Sequence, residues 1–198
     1  MGTYSASGNA YAVNVVGKTA YVAYGTGGLR ILDITTPANP TLIGTFNTGN
    51  AWDVEVIGNT AYVANYNTNG LKIIDITTPG NPTLIGEYDT TSYVFGLTVV
   101  GNTAYLADYA NGLRVMDITN PASPALVGTY DTFAARDVVV VGKTAYVADD
   151  TAGLQIIDIT TPAAPSFISA VGTGGAAWEV EIVGSTAYVA GSGSGLYV

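Results

Sequence analysis

The side chains that could do chemistry in this sequence are carboxylates, tyrosines and a few lysines, because histidine and cysteine are both absent. Without those two residue types, acid–base or covalent catalysis needs a pair of carboxylates that face one pocket. Glu55 and Glu181 are the one pair that deserves inspection for this role. The segment GTGGAA at 172–177 precedes a strand-like stretch instead of the helix that a dinucleotide site requires. We therefore expect no enzymatic activity.

Five carboxylates near the start of the repeated first segment could hold a metal ion. They are Asp53, Glu55, Asp137, Glu179 and Glu181. Carboxylates crowded around a channel raise each other's pKa unless water or a cation screens them. Ca²⁺ is the cation best matched to oxygen ligands, and ordered water is the alternative screen. The sequence predicts no other cofactor.

Aromatic side chains recur at two loop positions that fall on one rim of the molecule. The first position holds Tyr11, Trp52, Phe95, Arg136 and Trp178, and the second holds Tyr24, Tyr66, Tyr109 and Asp150, beside the polar residues Asn65, Asn67, Asp108 and Asp149. Rigid aromatic rings provide contact area at little entropic cost, so this rim could bind a glycan or a protein. The alternative is that the rings only fill gaps between neighbouring structural units.

The elements that must position these residues come from an internal repeat. The tyrosine of an AYVA-type segment recurs as Tyr21, Tyr62, Tyr105, Tyr146 and Tyr188. A period of about 42 residues gives five units, at approximately 12–52, 53–95, 96–136, 137–178 and 179–198 together with 1–11. We expect these units to form a single domain.

Each unit divides into four short segments rich in Val, Ile, Leu and Tyr, such as DVEVIG, TAYVA, GLKIIDI and TLIGEY at 53–88. These segments are too short for helices, and Gly, Asn, Pro or Thr separates them, so they predict β-strands. Four antiparallel strands repeated every 40–45 residues are typical of β-propeller blades. The sequence thus predicts an all-β, five-bladed β-propeller with four-stranded antiparallel blades.

The third segment of each unit carries a family resemblance. LRILD, LKIID, LRVMD and LQIID resemble the LVIVD repeat, a propeller-forming repeat of bacterial and archaeal proteins, many of them at the cell surface. The resemblance extends over all five units, although the fifth copy is cut to GLYV. It implies a propeller and an extracellular or cell-surface location, with no catalytic residues to transfer.

An aspartate precedes Ile-Thr at the end of the third segment in four units, as Asp33, Asp75, Asp117 and Asp158. We interpret these residues as structural, because a carboxylate at a strand end can accept N–H bonds from the following turn. A calcium site would need several oxygens in one loop, and the neighbours here are apolar. The P-x-x-P pair that follows each aspartate is interpreted as a stiff turn.

The fifth unit is about 11 residues short, lacking the equivalent of positions 32–42. We expect one blade to be completed by both chain ends, with Met1–Tyr4 matching Ile43–Phe46, and to be shortened. An incomplete blade invites strand pairing with another molecule, so self-association is expected there. A subunit of a larger ring, and an engineered repeat protein without a ligand, are the alternatives.

Charge and hydropathy exclude two classes of partner. The chain has 15 acidic and 6 basic residues, and the basic ones are scattered singly, which is the reverse of a nucleic-acid surface. No apolar run approaches the length of a membrane helix, so membrane insertion is not expected. If the protein is natural and extracellular, its leader is absent from this chain.

Overall fold

The computed structural model describes residues 2–67, 70–193 and 195–198, so Met1, Thr68, Asn69 and Ser194 lie outside the described residues. The described residues contain strands, turns and bends but no helix, as predicted. Consequently, no helix in that part of the chain is long and apolar enough to cross a membrane. The strands form five antiparallel sheets, which are the blades of a five-bladed β-propeller fold.

The chain divides into two compact units, and the N-terminal unit contains blades 1 and 2. It comprises residues 1–90 and 121–123. Blade 1 consists of β1 (Ala12–Val16), β2 (Thr19–Ala23), β3 (Leu29–Asp33) and β4 (Thr41–Phe46). Blade 2 consists of β5 (Ala51–Ile57), β6 (Thr60–Asn65), β7 (Leu71–Asp75) and β8 (Thr83–Tyr88).

The C-terminal unit, residues 91–120 and 124–198, contains the other three blades. Blade 3 consists of β9 (Gly96–Val100), β10 (Thr103–Ala107), β11 (Leu113–Asp117) and β12 (Ala125–Tyr130). Blade 4 consists of β13 (Asp137–Val141), β14 (Thr144–Ala148), β15 (Leu154–Asp158) and β16 (Ser166–Val171). Blade 5 has three strands, β17 (Ala176–Val183), β18 (Thr186–Ser192) and β19 (Gly195–Tyr197). That the whole chain is one domain stays a prediction.

A glycine turn joins the first two strands of each blade and sets their register. The glycine of each two-residue turn has a positive φ, for example 59° at Gly58 and 62° at Gly142. A residue without Cβ adopts this conformation at no steric cost, and the turn pairs Ile57 with Thr60 and Val141 with Thr144. The apolar strands that follow are then held in register.

Blade faces pack against each other inside each unit. In the N-terminal unit, Tyr21 and Leu29 on one face of blade 1 pack with Val54 and Ile74 on the facing side of blade 2. In the C-terminal unit, Leu113 of blade 3 packs in the same way with Val138 of blade 4. Because blades 3 and 5 cover the two faces of blade 4, its first strand, DVVVV, need not alternate between apolar and polar residues.

A glycine in the fourth strand locks successive blades together. A Cβ added to Gly44 would meet the carbonyl oxygen of Pro79, and one added to Gly128 would meet that of Pro162. Both prolines begin the P-x-x-P turn of the following blade. In that turn the Ala164 N–H donates to the Thr161 carbonyl at 2.8 Å, as expected for a structural turn. Only glycine allows two backbones to approach this closely.

Blade 5 is shortened, as predicted, but the N-terminal segment does not add a strand to its sheet. Residues 2–11 contain no strand and lie against blade 1. A Cβ on Gly2 would meet the carbonyl oxygen of Pro37, which is the contact that Gly44 makes with Pro79. The Arg30 guanidinium donates to the Tyr4 hydroxyl at 2.8 Å. Residues 2–4 therefore lie against blade 1 as β4 lies against blade 2, but they are not part of a sheet.

Candidate functional site

An arginine surrounded by aromatic rings is the centre of the candidate site in the C-terminal unit. The Arg136 guanidinium carbon lies 4.2 Å from the centroid of Trp178, 5.3 Å from that of Phe95 and 5.4 Å from that of Tyr109. Phe95 and Tyr109 contact each other edge to face at 5.4 Å. The face of an aromatic ring is negative, so a guanidinium placed over it is attracted electrostatically. The structure thus brings together four of the residues predicted for the rim, which we call the arginine cluster.

The arginine cluster is held by an ion pair to the loop of its own blade. The Arg136 Nε donates to the Asp150 carboxylate at 2.6 Å, and both side chains are largely buried. Asp150 has a φ of 49° and Tyr109 a φ of 25°, values that non-glycine residues seldom adopt. Each of these residues forms an isolated β-bridge with the connection that leads to the next blade. Tyr109 bridges to Ala135, and Asp150 bridges to Ala177. The surrounding hydrogen bonds therefore maintain two strained residues at this site.

A separate aromatic stack occupies the corresponding place in the N-terminal unit. The rings of Tyr11 and Trp52 are stacked at 3.9 Å, and those of Trp52 and Tyr66 at 5.1 Å. Trp52 sits at a β-bulge, where Ala51 and Asp53 pair with successive residues of β6 and the tryptophan is the extra residue. The bulge turns the indole out of the ladder and between the two tyrosines.

Tyr24 does not occupy the loop position predicted for it, because it lies one position earlier in the repeat than Tyr66 and Tyr109. The Tyr24 N–H donates to the Gly28 carbonyl, as the Asp108 N–H does to Gly112. Its side chain is buried, its hydroxyl donates to the Ala6 carbonyl at 2.8 Å, and Arg30 lies 4.7 Å from its ring. Tyr24 therefore fills space under the N-terminal segment, which is the alternative interpretation of the rim residues.

The polar residues at the register of Tyr24 are structural as well. Asn65, Asp108 and Asp149 are all buried. Arg114 Nε donates to the Asp108 carboxylate at 2.6 Å, and the N–H groups of Phe133 and Ala134 donate to that of Asp149 at 3.0 and 2.6 Å. Buried carboxylates need such partners to remain charged. Asn67 is exposed.

The carboxylates predicted to hold calcium are distributed over three blades, in β5, β13 and β17. Within residues 2–67, 70–193 and 195–198, no three acidic side chains form a group that could hold a metal ion. The Asp137 carboxylate instead accepts the N–H groups of Val138 at 2.8 Å and of Val180 at 2.9 Å, which connects blades 4 and 5. Asp53 likewise accepts the N–H of Val54 at 2.7 Å. Glu179 and Glu181 are exposed.

Glu55 and Glu181, the candidate catalytic pair, belong to different units. Glu55 belongs to β5 of the N-terminal unit, and Glu181 belongs to β17 of the C-terminal unit. Glu55 is half-buried and its charge raises the pKa of Tyr62, although burial of that phenol has the larger effect. A catalytic role for the pair stays a prediction.

The four aspartates before Ile-Thr make the hydrogen bonds expected of them. The carboxylates of Asp33, Asp75, Asp117 and Asp158 each accept the backbone N–H of the threonine two residues later, at 2.7–2.8 Å. Hydrogen bonds from that threonine's hydroxyl and backbone N–H lower the pKa of each carboxyl group. These residues are therefore structural and stay ionised at neutral pH.

Sequence reasoning missed two exposed aromatic residues in the connections that precede blades 3 and 4, and one of them lies beside the arginine cluster. Tyr93 is 40% exposed, and its ring lies 6.5 Å from that of Phe95 and 6.3 Å from that of Tyr109. Phe133 is also exposed, in the loop anchored by Asp149. The spacing of the repeat contained a sign of Tyr93. Trp52 and Phe95, at equivalent positions of blades 2 and 3, are 43 residues apart, whereas Tyr21 and Tyr62, at equivalent positions of blades 1 and 2, are 41 residues apart. The longer connection carries the extra ring.

Comparison with known proteins agrees with the repeat. The family model described as "LVIVD repeat" matches residues 7–48, 49–90, 93–132, 134–173 and 174–198, which confirms the resemblance. A comparison with curated protein sequences found no match.

Two solved structures share the fold. The crystal structure of the computationally designed Ika8 protein has a TM-score of 0.74 and 11% identity, covering 94% of this chain and 57% of that one. The crystal structure of the computationally designed Ika4 protein has a TM-score of 0.64 and 12% identity, covering 80% of this chain and 99% of that one. This chain thus spans little more than half the length of the first structure. At such identities the likeness shows the fold alone, and the chain is a β-propeller repeat scaffold.

Proposed function

The chain belongs to the LVIVD repeat family, and from that premise we propose that it is a non-enzymatic recognition module that binds a neutral glycan beside the arginine cluster. Tyr93 would stack on a sugar ring, and Phe95 and Tyr109 would support it from behind. A pyranose ring offers an apolar face to the aromatic ring and hydroxyl groups to the polar groups around it.

The single observation that carries this proposal is that the exposed Tyr93 ring is held in place. Ser92 Oγ accepts the N–H of Ala110 at 3.2 Å, and the Asn111 side-chain amide donates to Thr91 Oγ at 3.3 Å. These bonds tie the loop that carries Tyr93 to the loop that carries Tyr109. A ring that is rigid before binding loses little conformational entropy when a ligand covers it.

Charge favours a neutral ligand over an anionic one. The formal net charge of the chain is −9, which repels acidic sugars. Arg136 is the cation of the arginine cluster, and its charge is compensated by Asp150. Arg136 therefore holds the rings together and is not available as a partner for a carboxylate or sulfate.

The test is a screen of neutral oligosaccharides followed by calorimetry with Tyr93→Ala. We expect the parent chain to bind at least one neutral oligosaccharide and Tyr93→Ala to weaken binding about fivefold, the effect of losing one aromatic contact. Phe167→Ala is the matched control, because Phe167 is an exposed aromatic residue on β16 of the same unit. Its affinity should equal that of the parent.

Two results would contradict the glycan proposal. One is a parent chain that retains no neutral oligosaccharide, and the other is equal affinity in the parent and Tyr93→Ala. A protein ligand lost on the same substitution would assign the surface to protein recognition.

A purely structural or engineered repeat protein without a ligand is the second candidate. The observation that favours it is the likeness of the fold to two computationally designed proteins. In that case Tyr93→Ala should leave every binding assay unchanged, because there is no ligand to lose.

A further inference from the structure

Blade 1 exposes an apolar residue whose equivalent is buried in every other blade. The first strand of each blade carries Val or Leu at the position paired with the residue that immediately follows the conserved tyrosine. In blades 2 to 5 this residue is buried, as Val54, Leu97, Val138 and Val180. Val13 occupies the same position in β1 and is 61% exposed. Val15, two residues later on the same face, is exposed as well. One face of blade 1 is therefore uncovered along its first strand.

Blade 5 exposes the opposite face. Leu29, Leu71, Leu113 and Leu154 begin the third strand of blades 1 to 4, and all four are buried. Leu196 occupies the equivalent position in β19, because it pairs with Ala190 as Leu29 pairs with Ala23, and it is 65% exposed. Tyr188 and Ala190 on the same face are also exposed, whereas Tyr21 and Ala23, their equivalents in blade 1, are buried.

The packing inside the units shows which surface fits each uncovered face. The leucine-bearing face of one blade packs against the valine-bearing face of the next, as Leu29 does with Val54 and Leu113 with Val138. The uncovered face of blade 1 is of the valine-bearing kind, and that of blade 5 is of the leucine-bearing kind. The two faces are complementary in residue type and are the two halves of a recurring contact.

The N-terminal segment supplies what blade 5 lacks. Gly2 lies on Pro37 as the fourth-strand glycine Gly44 lies on Pro79, so residues 2–4 occupy a fourth-strand position beside blade 1. In blade 1, Leu29 pairs with Phe46 and Ile31 pairs with Gly44. By the same register, Leu196 would pair with Tyr4 and Val198 with Gly2. Among the described residues, the sheet of blade 5 has three strands, and β19 is at its edge.

We propose that a second copy of this chain covers these faces in a head-to-tail arrangement. The leucine-bearing face of blade 5 in one copy packs against the valine-bearing face of blade 1 in the next. The N-terminal segment of the second copy then forms the fourth strand of the first copy's blade 5. Such a heterologous contact closes into a ring when its rotation permits and otherwise continues into a filament.

Two further contacts follow from equivalent positions. Asp137 accepts the N–H of Val180 in the next blade, so Glu179 is placed to accept the N–H of Val13 in the second copy. Arg136 stacks on Trp178, and Tyr11 stacks on Trp52 in the same way. The exposed indole of Trp178 is therefore placed to stack on the second copy's Tyr11.

The first measurement is the solution mass of the 198-residue chain over a concentration series, by light scattering and native mass spectrometry. We expect a multiple of 20.2 kDa that dissociates on dilution. A mass of 20.2 kDa at all concentrations would overturn the proposal and indicate that the chain covers its own faces or leaves them in solvent.

Two substitutions identify the faces. Val13→Arg and Leu196→Arg should each raise the dissociation constant by about 10- to 100-fold, the loss expected when one apolar side chain is no longer buried. Val16→Arg is the matched control, because Val16 is exposed in the same strand and its equivalents Ile57, Val100 and Val141 are exposed too. It should associate as the parent does.

Mixing the variants tests the head-to-tail arrangement. Val13→Arg retains a normal blade 5 face and Leu196→Arg retains a normal blade 1 face, so an equimolar mixture should form a mixed complex that neither variant forms alone. If only one of the two substitutions dissociates the parent, the contact joins two copies of one face and the arrangement is wrong. Far-ultraviolet circular dichroism should show the same β spectrum for every variant, since each change is at an exposed position.

Discussion

Replacing Gly128 by alanine should destabilise the C-terminal unit, because it adds a methyl group where two backbones approach closely. Gly128 lies in β12, and its added Cβ would fall far inside 3.4 Å of the Pro162 carbonyl oxygen. The obstructing atom belongs to backbone, so no side-chain rotation relieves the clash. Either blade 3 separates from the P-x-x-P turn of blade 4, or both backbones shift.

The magnitude follows from the cost of forcing extra volume into a close-packed contact, which is about 1–3 kcal/mol. We expect Gly128→Ala to lie at the upper end, about 2–3 kcal/mol, because two backbones must move together. The assay is the free energy of unfolding from urea titration followed by tryptophan fluorescence and circular dichroism. Gly44→Ala, which meets Pro79 in the N-terminal unit, should have a comparable effect.

Gly172→Ala is the matched control in the C-terminal unit. Gly172 has no atom within 4 Å of an added Cβ and does not have a positive φ. Its replacement should be neutral or stabilise by up to about 1 kcal/mol, since alanine restricts the unfolded chain. If Gly128→Ala and Gly172→Ala unfold at the same urea concentration, the close approach of blade 3 to blade 4 does not hold the blades together.

Three other outcomes follow from the contacts described above. Arg114→Met should lower the free energy of unfolding by about 3 kcal/mol in urea titrations, because it leaves the buried Asp108 carboxylate without its guanidinium. Lys72→Met removes an ion pair to the partly exposed Glu87 and should lower it by less than about 1 kcal/mol. Folding lowers the pKa values of the four aspartates before Ile-Thr below their ordinary value of 3.8, so their contribution to stability is complete above that pH and is lost as the pH falls through the folded-state values. Replacing all four by asparagine should therefore reduce the fall in melting temperature at acid pH. An unchanged fall would show that these carboxylates do not cause it. Gly2→Val should detach the N-terminal segment from Pro37 and speed hydrogen exchange at Tyr24 and Leu32, which that segment covers, while exchange in blade 4 stays the same.

The strands and blades were predictable because local chemistry determines them. The apolar segments, the glycine turns and the carboxylate before each Ile-Thr act over a few residues, and those interactions recur unchanged in four units. The shortened fifth blade was predictable from repeat length alone. Tyr24 was placed one position wrong because its spacing from Tyr66 resembles the repeat period, while its backbone hydrogen bond to Gly28 puts it at the register of Asp108.

The contacts of the site were not predictable from one repeat, because they join side chains of neighbouring blades. Arg136 was predicted as a rim residue, but its stacking on both Phe95 and Trp178 depends on the blades before and after it. The position of residues 2–6 likewise depends on Pro37 and Tyr24 of blade 1. A repeat pattern shows which positions are equivalent and leaves open which neighbour each one meets.

One buried register illustrates why the repeat does not carry a binding site from blade to blade. Asp108 and Asp149 are equivalent, yet Arg114 pairs with the first and two backbone N–H groups of the preceding connection bind the second. Gln155 stands where Arg114 does, and its amide donates to the Ala152 carbonyl instead. An arginine side chain thus pairs with one buried carboxylate, and backbone N–H groups of a loop bind the equivalent carboxylate of the next blade. The connections that precede these two blades also carry different exposed rings, Tyr93 and Phe133, so ligand recognition must be assigned blade by blade.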